Sequence, residues 1–277
     1  MALNINTNAG SIAVQNKLRV SNGAMNQSIQ RLSSGMRINS AKDDAAGLAV
    51  AEGLKAQGKG FSQAMRNANE GIGMLQTADS AMQTVSDTFV RMRELAVQSA
   101  SDNLTDTERA YVNTEFTELI DEVDRISETS EYNGIKLLDG TAGTAGTLTF
   151  QVGTRNTAND RITIDMGDTD ATALGVNAAS VDTLTNAQSA IDAIDGALDT
   201  LNTRRATLGA TQNRMGKAVD NLGSTIENLT TAEGQIRDVD VASESAEFSR
   251  SQVLQQAGVS MLSQANSSPQ LALRLLG

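Results

Sequence analysis

A seven-residue repeat in the C-terminal half is the feature that most limits how this chain can fold. Its positions alternate spacings of four and three, and they are Ala187, Ile191, Ile194, Leu198, Leu201, Arg205, Leu208, Gln212, Met215, Val219, Leu222, Ile226, Leu229, Glu233 and Ile236. This spacing aligns the side chains along one seam of a single helix of about fifty residues. Ordering the backbone of each residue costs about 1–2 kcal/mol in conformational entropy, whereas each buried apolar side chain stabilises the fold by about 1.5–3 kcal/mol. The helix therefore needs partner helices to complete its burial.

Two upstream segments carry shorter seams that can supply those partners. The first comprises Leu75, Ala78, Met82, Val85, Phe89, Met92 and Ala96, and the second comprises Val112, Phe116, Leu119, Val123 and Ile126. Between them, Thr105 and Glu108 have the spacing of a capping box, which predicts the start of a new helix. We expect two antiparallel helices that lie along the long one as a bundle.

Polar residues interrupt the long seam at Arg205 and Gln212. Polar residues at such positions often fix the register of a coiled coil at some cost in stability. Arg205 could pair with an acid from the second helix, or the position could simply lie at a solvated edge. The sequence leaves both interpretations open.

The two ends of the chain carry short apolar stripes. The stripe residues are Leu18, Met25, Ile29, Leu32 and Met36 near the N-terminus, and Phe248, Leu254, Val259, Met261 and Leu262 near the C-terminus. Each segment is too short and too rich in Ser, Asn and Gln to form a firm helix alone. We expect both to be frayed or disordered in the isolated chain, and to pair with each other and with neighbours on assembly.

The middle of the chain has a different period. Alternating apolar residues occur on both sides of an Asn- and Asp-rich turn, at Leu148, Phe150 and Val152 and at Ile162, Ile164 and Met166. This pattern predicts a β-hairpin with little more than a loop on either side.

Together these patterns predict a mainly α fold, in which the N- and C-terminal halves form an elongated helical bundle or coiled coil with a small β-hairpin insert. The expected domains are a terminal coiled-coil region (1–42 plus 237–277), a helical bundle (43–139 plus 183–236) and the insert (140–182).

Residues 31 to 54 predict a joint between the first two of these domains. Gly35 follows two serines, and Asn39-Ser40 precedes Asp43 and Asp44. This order indicates a helix end, a polar connection and a new helix whose N-terminus is next to acids, as the helix dipole favours. We interpret the small residues as a flexible joint at which the terminal arm changes direction.

The composition excludes much of enzyme chemistry. The chain contains no cysteine and no histidine, which removes thiol nucleophiles, histidine bases and the usual zinc sites. The acidic run at 165–170 lacks the spacing of a calcium loop, and the Gly-Thr-Ala repeat lacks the lysine of a phosphate loop. We expect no enzyme activity, no cofactor and no metal.

Charge and hydropathy limit the partners. The net charge is −11, yet residues 1 to 42 contain only basic charges, at Lys17, Arg19, Arg31, Arg37 and Lys42. This basic arm can align with the acids Asp238, Asp240, Glu244 and Glu247 near the other end. No stacking aromatics accompany the arm, and no apolar run approaches the ~20 residues of a membrane span, so we expect neither a nucleic acid nor a membrane as partner. The N-terminal segment also lacks the pattern of a cleaved signal peptide.

Several motifs, in order, resemble those of bacterial flagellins. They are "RLSSGMRINSAKDDAAGLAV", "RNANEGIGMLQTADSAM", "RMRELAVQSA" and "YNGIKLLDG" in the first half, and "LGATQNRM", "NLTTAEGQIRDVDVA" and "LQQAGVSMLSQAN" in the second. The resemblance covers residues 1 to 140 and 183 to 277. It implies a self-assembling filament subunit of the bacterial flagellum, with paired terminal helices lining a central channel, a helical domain around them and a variable outer insert.

The resemblance also implies partners and a route. These are other copies of the chain, a flagellin export chaperone, hook-associated junction and cap proteins, and secretion through the flagellar export channel to the outside of the cell. The insert of about forty residues leaves no room for a large outer domain. Metalloprotease variants of the family are excluded, because the chain has no histidine for their zinc motif.

The segment "RMRELAVQ" contains a second candidate surface. Arg91, Leu95 and Gln98 form an i, i+4, i+7 strip that we place off the main core, as a contact between subunits or as a wider bundle stripe. The resemblance implies that the vertebrate Toll-like receptor for flagellin recognises this region, with Arg91, Leu95 and Glu115 at the matching positions. Val90 departs from the pattern, because receptor-active members often carry a polar residue there.

Other functional classes differ in what the two ends of the chain would do. A hook-filament junction protein shares the terminal pattern, and a secreted helical translocator would use amphipathic ends to enter membranes. The polarity of both ends argues against the translocator, and the match of "LQQAGVSMLSQAN" favours a filament subunit over a junction protein.

Overall fold

The computed structural model describes the backbone of residues 8–276 and the side chains of residues 8–267. Five helices make up most of the chain, and they are α1 (Ala9–Ser34), α2 (Ala45–Ser99), α3 (Asp106–Thr129), α4 (Leu184–Arg237) and α5 (Val241–Leu276). Between α3 and α4 lie four short strands, β1 (Glu131–Tyr132), β2 (Ile135–Lys136), β3 (Thr147–Gln151) and β4 (Arg161–Asp165). The predicted mainly α fold with a small hairpin insert is confirmed. Residues 1–7 and 268–277 of the predicted terminal region lie outside the described side chains.

The chain divides into two compact units. The terminal unit contains residues 1–56 and 228–277, and the internal unit contains residues 57–227. Both divisions fall within long helices, α2 and α4. The domain boundaries expected from the sequence, at 42/43 and 236/237, instead follow the ends of helices.

The seam of α2 forms the centre of the internal core. Every residue of the predicted seam is fully buried, namely Leu75, Ala78, Met82, Val85, Phe89, Met92 and Ala96. In α3, Phe116, Val123 and Ile126 are buried in the same core. In α4, burial repeats every seven residues, at Ala187, Ile194, Leu201, Leu208, Met215 and Leu222. The heptad reading of the sequence thus places the core correctly.

The other half of the α4 seam is only partly buried, and it includes the two polar interruptions. Arg205 Nε lies 2.9 Å from Asp79 Oδ1 of α2, and the two side chains are 27% and 40% exposed. Arg205 therefore pairs with an acid, as the first interpretation has it, but that acid lies in the first upstream helix and not in the second. Gln212 is half-buried.

The capping box at the start of α3 is confirmed. Glu108 Oε2 accepts a hydrogen bond from Thr105 N at 2.8 Å, and Thr105 Oγ1 accepts one from Glu108 N at 3.4 Å. The bond from the Thr105 backbone lowers the pKa of the Glu108 carboxyl. Two of the otherwise unpaired donors at this helix end are thereby satisfied.

The predicted hairpin is present and is part of the core. Strands β3 and β4 pair antiparallel, with Leu148 opposite Ile164 and Phe150 opposite Ile162. Leu148, Ile162, Ile164 and Met166 are buried with the helix seams. Gly71 of α2 permits this packing, because a Cβ there would lie 2.4 Å from Met215 Cε and 2.8 Å from Phe150 Cδ1.

Two features around the hairpin are absent from the sequence prediction. Strands β1 and β2 form a tight turn in which Asn133 and Gly134 have φ of 51° and 77°. The connection after β4, expected to be little more than a loop, buries Ala171, Leu174, Val176 and Val181. These apolar residues do not follow a period of two or of 3.6, so no pattern marks them in advance.

Candidate functional site

Helices α1 and α5 pair antiparallel in the terminal unit. Asn8 Nδ2 donates to Ala265 O at 2.9 Å, and Ser21 Oγ donates to Ser251 O at 3.1 Å. Towards the other end of the pair, Arg31 Nη1 lies 3.4 Å from Glu244 Oε2. The two terminal segments, which the sequence predicts to pair with each other, form two helices that contact each other along their length.

The contact face of α5 is a heptad of small or polar residues, which the sequence analysis missed. It consists of Glu244, Ser251, Gly258 and Ala265, which lie seven residues apart. Gly258 lies against Leu18 of α1, and an added Cβ would be 2.6 Å from Leu18 Cδ2. The signal was present in the sequence as a repeat of small residues, but a search for apolar stripes passes over it.

The predicted apolar stripes are not buried by this pairing. Within the described residues of α1 and α5, the buried side chains are three serines, Ser11, Ser28 and Ser251. Leu18, Met25, Leu32, Met36, Phe248 and Leu262 are half-buried. Ile29, Leu254, Val259 and Met261 are exposed, by 46%, 55%, 58% and 62%. The helix pair thus fully buries none of the ten stripe residues.

An open apolar groove runs between the two helices. It has a volume of about 650 Å³. Its apolar lining residues are Ala13, Val14, Leu18, Val20, Ala24, Leu254, Ala257 and Met261. Charged side chains occur only at its edge, in Lys17 and Glu247. A groove with this lining fits the apolar face of another helix.

The predicted joint between α1 and α2 is present but is held by hydrogen bonds. Gly35 ends α1 in the left-handed conformation, with φ of 71°. The chain then pairs with residues 236–239, because Arg37 N donates to Arg237 O at 2.6 Å and Val239 N donates to Gly35 O at 3.0 Å. Arg37 Nη2 adds a bond to Ile236 O at 2.7 Å. The flexible connection expected from the small residues is therefore an ordered one in this structure.

Asp43 organises the turn inside this joint. Its Oδ2 accepts hydrogen bonds from Asn39 N at 3.1 Å, Ser40 N at 3.0 Å and Ser40 Oγ at 3.1 Å. These bonds, chiefly the one from the Ser40 backbone, lower the pKa of the Asp43 carboxyl. Asp44 caps α2 through a bond from Gly47 N to its Oδ1 at 2.9 Å. The acids thus occupy the helix start, as predicted.

The second candidate surface, around Arg91, is partly corrected by the structure. Arg91 Nη2 lies 2.7 Å from Glu115 Oε1 of α3, and both side chains are about half exposed. Gln98 is exposed. Leu95, however, is only 2% exposed and belongs to the core. Leu95 therefore does not lie off the main core, and for this residue the alternative of a wider bundle stripe holds.

The burial of Leu95 follows from the two partners that α2 has at this level. Arg91 bonds to Glu115 of α3, while Arg93 Nε bonds to Asp195 Oδ1 of α4 at 2.7 Å. A helix covered by two neighbours buries a wider stripe than a two-helix seam requires. Leu95 lies on that widened stripe, between the two ion pairs.

Among the described residues, no group of three or more acids could hold a metal ion. In the same part of the chain, no helix is both long enough and apolar enough to cross a bilayer.

Comparison with known protein families finds matches at both ends of the chain. Residues 5–143 match the model of the bacterial flagellin N-terminal helical region, and residues 191–276 match the bacterial flagellin C-terminal helical region.

Relatives match over nearly the full length. A flagellin of Halalkalibacterium halodurans is 42% identical over 274 residues, which cover 98% of this chain and 99% of the relative. The flagellin of Bacillus subtilis is 37% identical over 305 aligned residues, covering 99% of this chain and all of the relative. The crystal structure of Bacillus cereus flagellin aligns with a TM-score of 0.50 and 28% identity, over 57% of this chain and 88% of that one.

Proposed function

The chain belongs to the bacterial flagellin family, and from this premise we propose how its terminal helices build a polymer. As a flagellin it is a structural subunit of the flagellar filament, an extracellular assembly of copies of this chain that serves swimming motility. The exposed stripes of α1 and α5 are the observation that carries the proposed mechanism.

Assembly supplies the burial that the terminal helices lack. Exposed side chains such as Leu254, Val259 and Met261 each gain about 1.5–3 kcal/mol when they are fully buried. Ordering the helical backbone costs about 1–2 kcal/mol per residue, so the pair alone is poorly stabilised. In the free subunit α1 and α5 are therefore mostly unfolded, and they adopt the paired helical form as they contact neighbouring copies.

The groove between α1 and α5 is the contact surface for a neighbouring copy in this mechanism. Its lining is apolar, and the only charged side chains at its edge belong to Lys17 and Glu247. The apolar face of a terminal helix from another subunit has matching chemistry. Closing the groove removes Leu254 and Met261 from water.

Ion pairing between α1 and α5 helps to set the register of the two helices more than it adds to their stability. Arg31 and Glu244 pair at 3.4 Å, with side chains 26% and 12% exposed. Partly exposed ion pairs contribute up to about 1 kcal/mol and weaken in salt. Among the described residues, Asp238, Asp240 and Glu247 form no ion pair with the basic arm.

The exposed strip on α2 and α3 is a second contact surface. Arg91, Gln98 and Glu115 present polar groups there, and the half-exposed Arg91–Glu115 pair fixes their positions. We assign this strip to a contact between subunits, and also to recognition by the vertebrate flagellin receptor. Leu95 contributes from beneath, by holding α2 against the core.

Further partners follow from family membership. The subunit leaves the cell through the flagellar export channel, delivered by an export chaperone, and it contacts hook-associated junction proteins and a cap protein. Its role is structural, with no catalytic step. We propose for these roles the division expected from the sequence, with a terminal region (1–42 plus 237–277) as the inner core of the filament, a helical bundle (43–139 plus 183–236) and the hairpin insert (140–182).

Removal of either terminal segment tests the mechanism. Chains lacking residues 1–30 or 250–277 are expected to remain soluble and mostly helical, because the core of the internal unit does not include these segments. They are expected to form no filaments when full-length protein polymerises beside them, as seen by electron microscopy. Filaments formed by either truncated chain would contradict the proposal.

Hydrogen exchange provides the complementary measurement. Amides of α1 and α5 are expected to exchange rapidly in the free full-length subunit and slowly in the filament. Slow exchange at these amides in a dilute subunit would show that the helices are stable without assembly.

A further inference from the structure

Only some of the basic residues in the internal unit form ion pairs with acids. Most form ion pairs with carboxylates, namely Arg91, Arg93, Arg109, Arg125, Lys136, Arg205 and Lys217. Arg204 donates instead to the carbonyl oxygen of Asp168. In the described internal unit, the cations that have no carboxylate partner are Lys59, Arg66, Arg155, Arg161 and Arg214.

Two of these unpaired cations belong to the hairpin, and two others are sequence neighbours of α2 residues that contact it. Arg155 lies in the turn, and Arg161 begins β4. Lys59 and Arg66 are adjacent to residues of α2 that contact the hairpin. Asn67 Nδ2 donates to Gln151 O at 3.3 Å, and a Cβ on Gly60 would lie 2.7 Å from Thr154 Cγ2.

A cleft at this end, which we call the basic cleft, has a volume of about 440 Å³ between the hairpin and α4. Arg161, Arg214 and Lys217 supply its positive charge. Val152, Ile162 and Ala218 form its apolar part, and Asn159 and Asn213 add side-chain amides. Guanidinium groups beside amides and a small apolar area suit carboxylates presented on a helix surface.

The acids near the basic cleft do not neutralise it. Asp160 Oδ2 is occupied by Arg155 N at 3.1 Å and Thr157 Oγ1 at 3.0 Å. Asp220 lies 3.4 Å from Lys217, but the two side chains are 71% and 86% exposed. An ion pair this exposed holds its partners weakly, so Lys217 is available to another carboxylate.

A matching acidic surface lies on α3. Glu118, Asp121 and Glu128 share one exposed face of α3 with Arg125, whose charge is already paired with Glu122. Within the described chain none of the three forms an ion pair. We propose that the basic cleft of one subunit binds this acidic face of α3 from a second copy, a contact that rests on the polymer function proposed above.

The physical reason for such a contact is that every copy of the chain carries a net charge of −11. Acidic subunits repel one another at close range unless specific positive sites face the acids of their neighbours. Cations already paired internally cannot serve this purpose without giving up a partner. The basic cleft places two of the free cations, Arg161 and Arg214, beside the weakly paired Lys217, so it contributes orientation and salt sensitivity to assembly.

Charge removal at the cleft provides the first test. The double variant Arg161→Gln with Arg214→Gln is compared with Lys59→Gln with Arg66→Gln, which removes two exposed cations that do not line the cleft, in seeded elongation on sonicated wild-type filaments. We expect the double variant to raise the critical concentration about threefold or more at low salt, with the difference shrinking as salt increases. Unchanged circular dichroism and melting temperature show that the subunit itself is folded.

Charge exchange provides the second test. Arg161→Glu with Arg214→Glu is expected to abolish filament formation by the variant alone, and adding Glu118→Arg with Asp121→Arg in the same chain is expected to restore it. Restoration supports the contact, because each copy then presents both exchanged surfaces. Failure to restore filament formation, or an equal defect in the Lys59→Gln with Arg66→Gln control, overturns it.

A carbohydrate partner is the competing outcome. If wild-type filaments bind heparin through Arg161 and Arg214 while the double Gln variant elongates normally, the cleft is a polyanion site and the subunit contact is wrong. If wild-type chains fail to elongate the seeds, that result contradicts the proposed polymer function itself and not only this contact.

Discussion

Gly258 of α5 lies against Leu18 of α1 so closely that an added Cβ would be 2.6 Å from Leu18 Cδ2 and 3.0 Å from its Cγ. The antiparallel pair depends on a small residue here, in the same heptad as Ser251 and Ala265. Replacement by a large side chain should separate the two helices and displace the groove that faces neighbouring copies.

Gly258→Leu is expected to raise the critical concentration for seeded polymerisation by about tenfold, because overpacking costs about 1–3 kcal/mol. Gly216→Ala is the contrasting variant, since a Cβ at Gly216 meets nothing within 4 Å. That change should stabilise α4 by about 0.5–1 kcal/mol and leave assembly intact. Normal polymerisation of Gly258→Leu would show that the close contact is unimportant.

The groove makes a separate prediction about Leu254. Leu254→Asn should leave the melting temperature of the free subunit unchanged, because the side chain is already 55% exposed. Its critical concentration should nonetheless rise, since assembly buries this position. Val253→Asn is the matched control, because Val253 is 64% exposed and does not line the groove. Equal effects of the two substitutions would indicate that the groove has no special role.

Leu95 makes a prediction about stability. Leu95→Ala is expected to lower the free energy of unfolding by about 2–5 kcal/mol, measured by urea denaturation of the monomer. Val97→Ala, two residues along and 50% exposed, should change it by about 0.5 kcal/mol or less. Similar free energies of unfolding for both variants would show that Leu95 belongs to the surface strip and not to the core.

The joint should respond to acid through Asp43. Its folded pKa is below the ordinary value of 3.8, so its carboxylate stabilises the turn above that value. The contribution is lost as pH falls through the lowered folded pKa, and nearby Arg31 also favours the charged form. Backbone amide signals of Asn39 and Ser40, followed by NMR, should report the loss below about pH 4.

Asp43→Asn is the control for this titration. The variant lacks the charge, so its turn should show no transition in the same range. A transition of equal size in the variant would assign the acid response to another group.

Prediction from the sequence succeeded where one physical rule dominated. Phe89 and Met92 lie on a seam that must be buried, and Thr105 and Glu108 can satisfy a helix end in only a few ways. Those features are local and periodic, so the sequence pattern specifies them.

Prediction failed where burial depends on neighbours distant in sequence. Leu95 was placed outside because a single seam was assumed, whereas α3 and α4 together cover a wider stripe of α2. Gly258 was overlooked because its importance lies in the approach of Leu18, some 240 residues away in the chain. The basic cleft likewise exists only because the hairpin folds onto α2 and α4.

The location of β3 and β4 inside the core has a consequence for how this subunit can be shortened or used as a display scaffold. Leu148, Ile162 and Ile164 fill space that no helix residue occupies, so excising the insert would leave a cavity and unfold the internal unit, despite the small size of the excised piece. Foreign peptides belong instead at the water-exposed Asn133–Gly134 turn, where the chain already reverses direction without entering the interior.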